Sequence, residues 1–186
     1  MSKVLIPLAQ GCEELEAITI IDLLRRADIE VITAGLDDQA VTASRGVVLI
    51  PDTSLDQLLA QTRMDDFDMV VLPGGLPGAD HLNEDKRIRS LLKKQLQDGK
   101  TVAAICAAPK VLASLGMLDD RRATAYPGTL EQLNLTTTEI SHEAVSIDGP
   151  VITSRGPGTA MDFALTLIEQ LSGKDTRDEV ESGLMR

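Results

Sequence analysis

The stretch TVAAICAAPKVLASLG, residues 101–116, carries a short apolar run into a cysteine, then two alanines, a proline and an apolar helical pattern. A nearly continuous apolar run is what a strand covered on both faces requires. Pro109 stands where a helix tolerates proline, in its first turn. The reading is therefore strand, sharp turn and helix, with Cys106 on the turn. The rest of the chain repeats the pattern. KVLIPL (3–8), a helix over 15–27 with Ala17, Ile20, Leu24 and Ala27 on one face, and EVITAG (30–35) form a βαβ unit. Further strands are predicted at 47–50, 68–74 and 150–154, and further helices near 84–98, 107–115 and 159–171. The last helix has Ala160, Phe163, Ala164, Leu167, Ile168 and Leu171 at spacings of three and four. Strands alternating with helices predict a doubly wound α/β fold, with a mostly parallel central sheet, in one domain over residues 1–186. The segment 119–143 has weak periodicity, and the tail from 173 reads as a short helix or a frayed end.

Composition narrows the function classes. Hydrophobic residues make up 43% and charged residues 25%, the balance of an ordinary globular domain. With 18 Lys+Arg against 29 Asp+Glu the net charge is -11, which opposes phosphate backbones and anionic lipid, so neither nucleic acid nor a membrane is an expected partner. No apolar run reaches the roughly 20 residues of a membrane span. The start, MSKVLIPLAQG, reads as a first strand rather than a signal peptide, so a cytoplasmic protein is expected. Cys12 and Cys106 are the two cysteines, without paired Cys/His spacing, so neither a disulfide framework nor a zinc site is expected.

Three places carry chemistry. Cys106, at a strand end and a helix start, occupies the position of a nucleophile elbow, where backbone N–H groups favour thiolate; the alternative is a buried structural cysteine. In GCEELE (11–16), Glu13 and Glu14 read as acidic residues complementing a helix start, whereas Glu16 falls further along and can point toward the carboxyl end of the sheet. A desolvated carboxyl there would hold its proton near neutral pH and serve as an acid or base. In LPGGLPGA (72–79), Gly74 and Gly75 end a strand and let backbone N–H groups approach a ligand or oxyanion, or simply make a turn. In SRGPGTAMDFAL (154–165), Thr159 is a candidate N-cap. His81 and His142 read as surface residues.

Taken together and in order, CEELEA, SRG at 44–46, VVLPGG, AAICAAP, YP at 126–127 and TSRGPGTAMDFAL resemble the DJ-one branch of the ThiJ/PfpI family. The resemblance implies a flavodoxin-like three-layer α/β/α sandwich, a homodimer, and Cys106 as a nucleophilic, oxidation-sensitive cysteine. It implies Glu16 as a protonated carboxyl bonded to the sulfur, and an oxyanion and substrate-binding set of Gly74, Gly75, Ala107, Arg45 and Tyr126. Arg45 is implied near the dimer seam and the pocket mouth. Tyr126 stands where several members carry a histidine before proline, and a phenol with pKa near 10 cannot replace imidazole as a base at neutral pH. A Cys-His triad would need His142 or a subunit partner. The extra Cys12 reads as a chance free thiol or as a resolving cysteine.

Two activities follow from the resemblance. One is cofactor-independent carbonyl chemistry, a glutathione-independent glyoxalase or deglycase acting on methylglyoxal-like aldehydes or glycated groups through a Cys106 hemithioacetal. The other is an oxidative-stress sensor and redox-regulated chaperone in which Cys106 becomes a sulfinic acid. Both use one residue, and the sequence does not separate them.

Overall fold

The computed structural model describes residues 1–61 and 66–186. Strands β1 (Lys3–Leu8), β2 (Glu30–Gly35), β3 (Val41–Thr42), β4 (Val48–Leu49), β5 (Thr53–Ser54), β6 (Met69–Leu72), β7 (Thr101–Ile105), β8 (Arg122–Ala123), β9 (Glu139–Ile140), β10 (Val145–Asp148) and β11 (Val151–Ser154) alternate with helices. These are α1 (Glu14–Arg26), α2 (Leu55–Gln61), α3 (Gly78–Glu84), α4 (Lys86–Gln97), α5 (Pro109–Ser114), α6 (Ala160–Ser172) and α7 (Lys174–Gly183). Among the described residues the main sheet has the order β10-β11-β7-β6-β1-β2-β5. Every pairing in it is parallel except β10 with β11. Helix α6 packs against α1 and α7, and α3 packs against α4 and α5, giving the three layers expected. The strands β6 and β11 are buried along their whole length and covered on both faces, β6 with an all-apolar sequence and β11 ending in the buried Thr153 and Ser154.

The helix stripes seat this sheet. Ile20 and Leu24 of α1 and Phe163, Leu167 and Ile168 of α6 are fully buried. Each such side chain contributes about 1.5–3 kcal/mol of transfer free energy.

Several predicted boundaries are corrected. The run 47–50 does not join the sheet. It supplies β4 of a small antiparallel pair with β3, and Val47, Val48 and Ile50 face outward at 44%, 59% and 86% exposure. The sheet edge is taken instead by β5, whose two residues pair with Ala34 and Gly35. The helix predicted near 84–98 is α4, while α3 before it is not among the predicted helices; the two are separated at Asp85, which is extended (ψ 115) and whose carboxylate accepts from the Arg87 and Ile88 N–H groups at 2.8 and 3.3 Å. That is a new N-cap. The strand predicted over 68–74 ends at Leu72, leaving Pro73, Gly74 and Gly75 as loop. Within 119–143 lie the short strands β8 and β9, and the tail is helical over α7. No helix among the described residues is long and apolar enough to cross a membrane.

Candidate active site

Cys106 lies one residue past the carboxyl end of β7, bonded to the end of β11 and against the loop that follows β6. Its backbone is left-handed, φ 64, at a cost of about 1–3 kcal/mol for a residue with a Cβ. Both of its backbone polar groups are held: its N–H donates to Ser154 O and its carbonyl accepts from the Tyr126 N–H, each at 2.9 Å. The residue is 9% exposed, and the strand–turn–helix elbow predicted at this position is present.

Glu16, in the first turn of α1, is fully buried. Its Oε2 accepts from the Gly74 N–H at 2.8 Å, while Oε1 has no aligned hydrogen-bond partner. Burial raises this carboxyl to about 7; the Cys106 thiol and the Gly74 N–H pull it down, and the Glu13 charge adds to the rise. Glycine is required at both loop positions. A Cβ on Gly74 would lie 2.6 Å from Cys106 Cβ, and one on Gly75 would lie 2.4 Å from Glu13 N. Gly75 also has φ +88, a conformation that side chains resist.

The electrostatics of Cys106 differ from what a helix start alone predicts. Helix α5 begins only at Pro109 and has six residues, so its dipole is small. Burial, then the Glu16 charge and its hydrogen bond, push the thiol up to about 12. The Gly75 and Ala107 N–H groups act on the sulfur in the opposite sense. These shifts keep the proton on the sulfur; a proton on Glu16 would remove the repelling charge and offer the sulfur a donor. Cys12, fully buried, is pushed up to about 11 by desolvation and then by Glu14.

The remaining sequence candidates divide. Gly74, Gly75, Ala107 and Glu16 gather at the sulfur. Tyr126 joins through its backbone, its ring lies half-exposed over Gly156, and a cleft of about 220 Å³ opens between Tyr126 and the 155–159 turn. Arg45 is exposed, and its N–H is bonded to Glu14 at 2.9 and 3.0 Å. Glu13 and Glu14 do more than complement a helix start: both accept from Ser44 Oγ, at 2.7 and 3.1 Å, and so tie the 44–47 turn to α1. Against the pull of burial, the N–H groups of Glu14 and Arg45 hold the Glu14 carboxyl below its ordinary value. His142 is exposed, whereas His81 is half-buried with Nδ1 3.0 Å from Gln10 O, and neither perturbs Cys106. Thr159 makes no N-cap bond to α6; its hydroxyl turns back to Ser154 and Gly156. Ser154 is a site neighbour the sequence hides, since one serine ending an apolar strand reads only as a strand end. Among the described residues, no group of three His, Cys, Asp or Glu side chains is placed to hold a metal ion.

Known proteins match this chain over nearly its whole length. The profile of the DJ-1/PfpI family matches residues 2–170. The chain is 47% identical over 187 residues to protein dj-1beta of Drosophila melanogaster, covering all of this chain and 98% of that one. It is 44% identical over 184 residues to protein DJ-1 homolog A of Arabidopsis thaliana, covering 98% of this chain but only 46% of that longer protein. It is 35% identical over 166 residues to glutathione-independent glyoxalase DJR-1.2 of Caenorhabditis elegans, covering 89% and 86% of the two chains. The crystal structure of Drosophila melanogaster DJ-1beta superposes with a TM-score of 0.92 at 44% identity, over all of this chain and 98% of that one. The sheet order, the Cys106 elbow and these matches agree: the chain belongs to the DJ-1/PfpI family.

Proposed function

We propose that the protein detoxifies small reactive aldehydes such as methylglyoxal and glyoxal, or the early groups they form on proteins, without glutathione or another cofactor. The observation that carries this reading is the buried pairing of Cys106 with Glu16 beneath the Gly75 and Ala107 N–H groups. The Cys106 thiol gives its proton to Glu16 as the sulfur adds to the aldehyde carbon, and the C=O π bond becomes an alkoxide held by the two N–H groups. Protonation of that oxygen completes a hemithioacetal. Glu16 then takes the proton from the former aldehyde carbon and returns it to the neighbouring carbon, while the hydroxyl proton passes from the first oxygen to the second, leaving a 2-hydroxyacyl thioester. Water cleaves the thioester, releasing lactate from methylglyoxal or glycolate from glyoxal and restoring the thiol. A carboxyl raised to about 7 can both give and take a proton at neutral pH. The glyoxalase named among the relatives supports the same substrate class.

A second reading has its own observation, the unpartnered Glu16 Oε1 in the buried pocket of the sulfur. Under it Cys106 is oxidised to sulfinic acid, whose new oxygens bond the Glu16 carboxyl, and the protein acts as a stress sensor and chaperone. We assign the exposed Leu15 and Ile18 of α1, with the outward β3–β4 turn, to a second copy of the chain. The setting we propose is the cytoplasm, whose reducing thiols suit two free cysteines. Glycolate formed from glyoxal, compared with sulfinate formed under peroxide, separates the readings. Thiol-dependent turnover supports the enzyme; sulfinate and client protection without turnover support the sensor.

A further inference from the structure

The left-handed backbone of Cys106 is anchored on one side to the end of β11, where its N–H is bonded to Ser154 O at 2.9 Å. Two buried hydroxyls hold that end. Ser154 Oγ, on a fully buried residue, donates to Ala144 O at 2.8 Å and lies 2.7 Å from Thr159 Oγ1. Thr159 Oγ1 accepts from the Gly156 N–H at 3.1 Å, and Gly156 O already accepts the Thr159 N–H at 2.9 Å. Thr159 Oγ1 also lies within donating distance of Gly156 O at 2.9 Å, so its one proton serves either that carbonyl or Ser154 Oγ. With the proton on Ser154 Oγ, a directed chain runs from Gly156 N–H through Thr159 and Ser154 to Ala144 O; in both arrangements each hydroxyl donates one bond. Fully satisfied buried networks are stiff, and they fix the backbone that they bridge.

We infer that Ser154 and Thr159 are positioning residues for Cys106, clamping the β11 end so that the elbow holds the sulfur against Glu16. The role rests on the reading of Cys106 as the reactive group. Neither hydroxyl touches the sulfur or Glu16 in the bonds described, so loss of either acts through the Cys106 backbone. Breaking the chain frees the β11 carbonyl to shift, and a residue with a Cβ then relaxes toward negative φ. That rotation carries the sulfur away from the carboxyl and into water.

The test is the pH profile of Cys106 alkylation by iodoacetamide, followed peptide by peptide, in Ser154→Ala, Thr159→Val and the conservative Thr159→Ser. Alkylation does not depend on aldehyde turnover, so failure of this role and failure of the proposed activity are distinguishable. The wild-type rate should change with two steps, the first near 7 as Glu16 ionises. In Ser154→Ala and Thr159→Val that step should vanish, leaving one titration near the ordinary thiol value of 9.0. Thr159→Ser, which keeps the hydroxyl, should restore the two-step profile. Folded Ser154→Ala or Thr159→Val protein that keeps the wild-type profile, with rates within about twofold, overturns the assignment. If Thr159→Val does not fold, Ser154→Ala decides; if neither folds, the hydroxyl chain is a requirement of folding and the positioning role is rejected.

Discussion

Glu16 and Gly74 are joined by a 2.8 Å hydrogen bond across 58 positions of the chain, from the first turn of α1 to the loop after β6. The bond places a carboxyl beside a thiol in a region with almost no solvent. It also leaves no room at position 74, where a Cβ would meet Cys106 Cβ at 2.6 Å, Glu16 Oε2 at 2.7 Å and Ile105 O at 2.8 Å.

Gly74→Ala should therefore damage both stability and site. Two of the three contacts are close to the main chain and cannot swing aside. The expected loss is about 1–3 kcal/mol in urea unfolding, the range for forced overpacking. The Cys106 alkylation rate should change with it. An unchanged unfolding midpoint would mean that the loop relaxes freely.

Stability should depend on pH through Glu16. Its pKa is about 7 in the fold against an ordinary 4.5, so between these values the native state binds more protons than the unfolded chain. Stability is then undiminished below about pH 4.5 and falls as pH rises toward 7, by about 3 kcal/mol in all for this group. Glu16→Gln should remove that slope. Urea titrations of both proteins at intervals from pH 5 to 8 measure it, and parallel curves would place the carboxyl in a wetter setting than its burial indicates.

The exposed face of α1 should close a homodimer. Leu15 and Ile18 are 50% and 45% exposed, whereas Leu23 on the same helix is buried inside the chain at 2%. Sedimentation at micromolar concentration should give twice 19.9 kDa for wild type, and Ile18→Glu should give the monomer. A wild-type monomer would contradict the assignment of this face.

The sequence declares the centre of this fold better than its edges. Strands β1, β6 and β7 are buried, mostly apolar runs and so stand out, and β11 follows them with Val151 and Ile152. Strand β5 is two residues long and β10 is a partly exposed edge, so neither has a periodicity to read. The run 47–50 misleads because its valines and isoleucine are apolar yet face outward. In the site, TVAAI followed by Cys106 and Ala-Ala-Pro is legible as an elbow, and Glu16 is separable from Glu13 and Glu14 by helical position. Its bond to Gly74 is not, since nothing local links positions so far apart. Nor is the raised thiol, which depends on burial and on the Glu16 charge rather than on the helix start.

The most direct test of the central claim is lactate formation from methylglyoxal, without glutathione, by wild type, Cys106→Ser and Cys12→Ser. Wild type should turn over, and Cys12→Ser, which alters the thiol not paired with Glu16, should retain the activity. Cys106→Ser should lose at least about 100-fold in kcat/KM, since a hydroxyl is a far poorer nucleophile than sulfur in this setting. Lactate formation by Cys106→Ser at the wild-type rate, or none by folded wild type, would contradict the account.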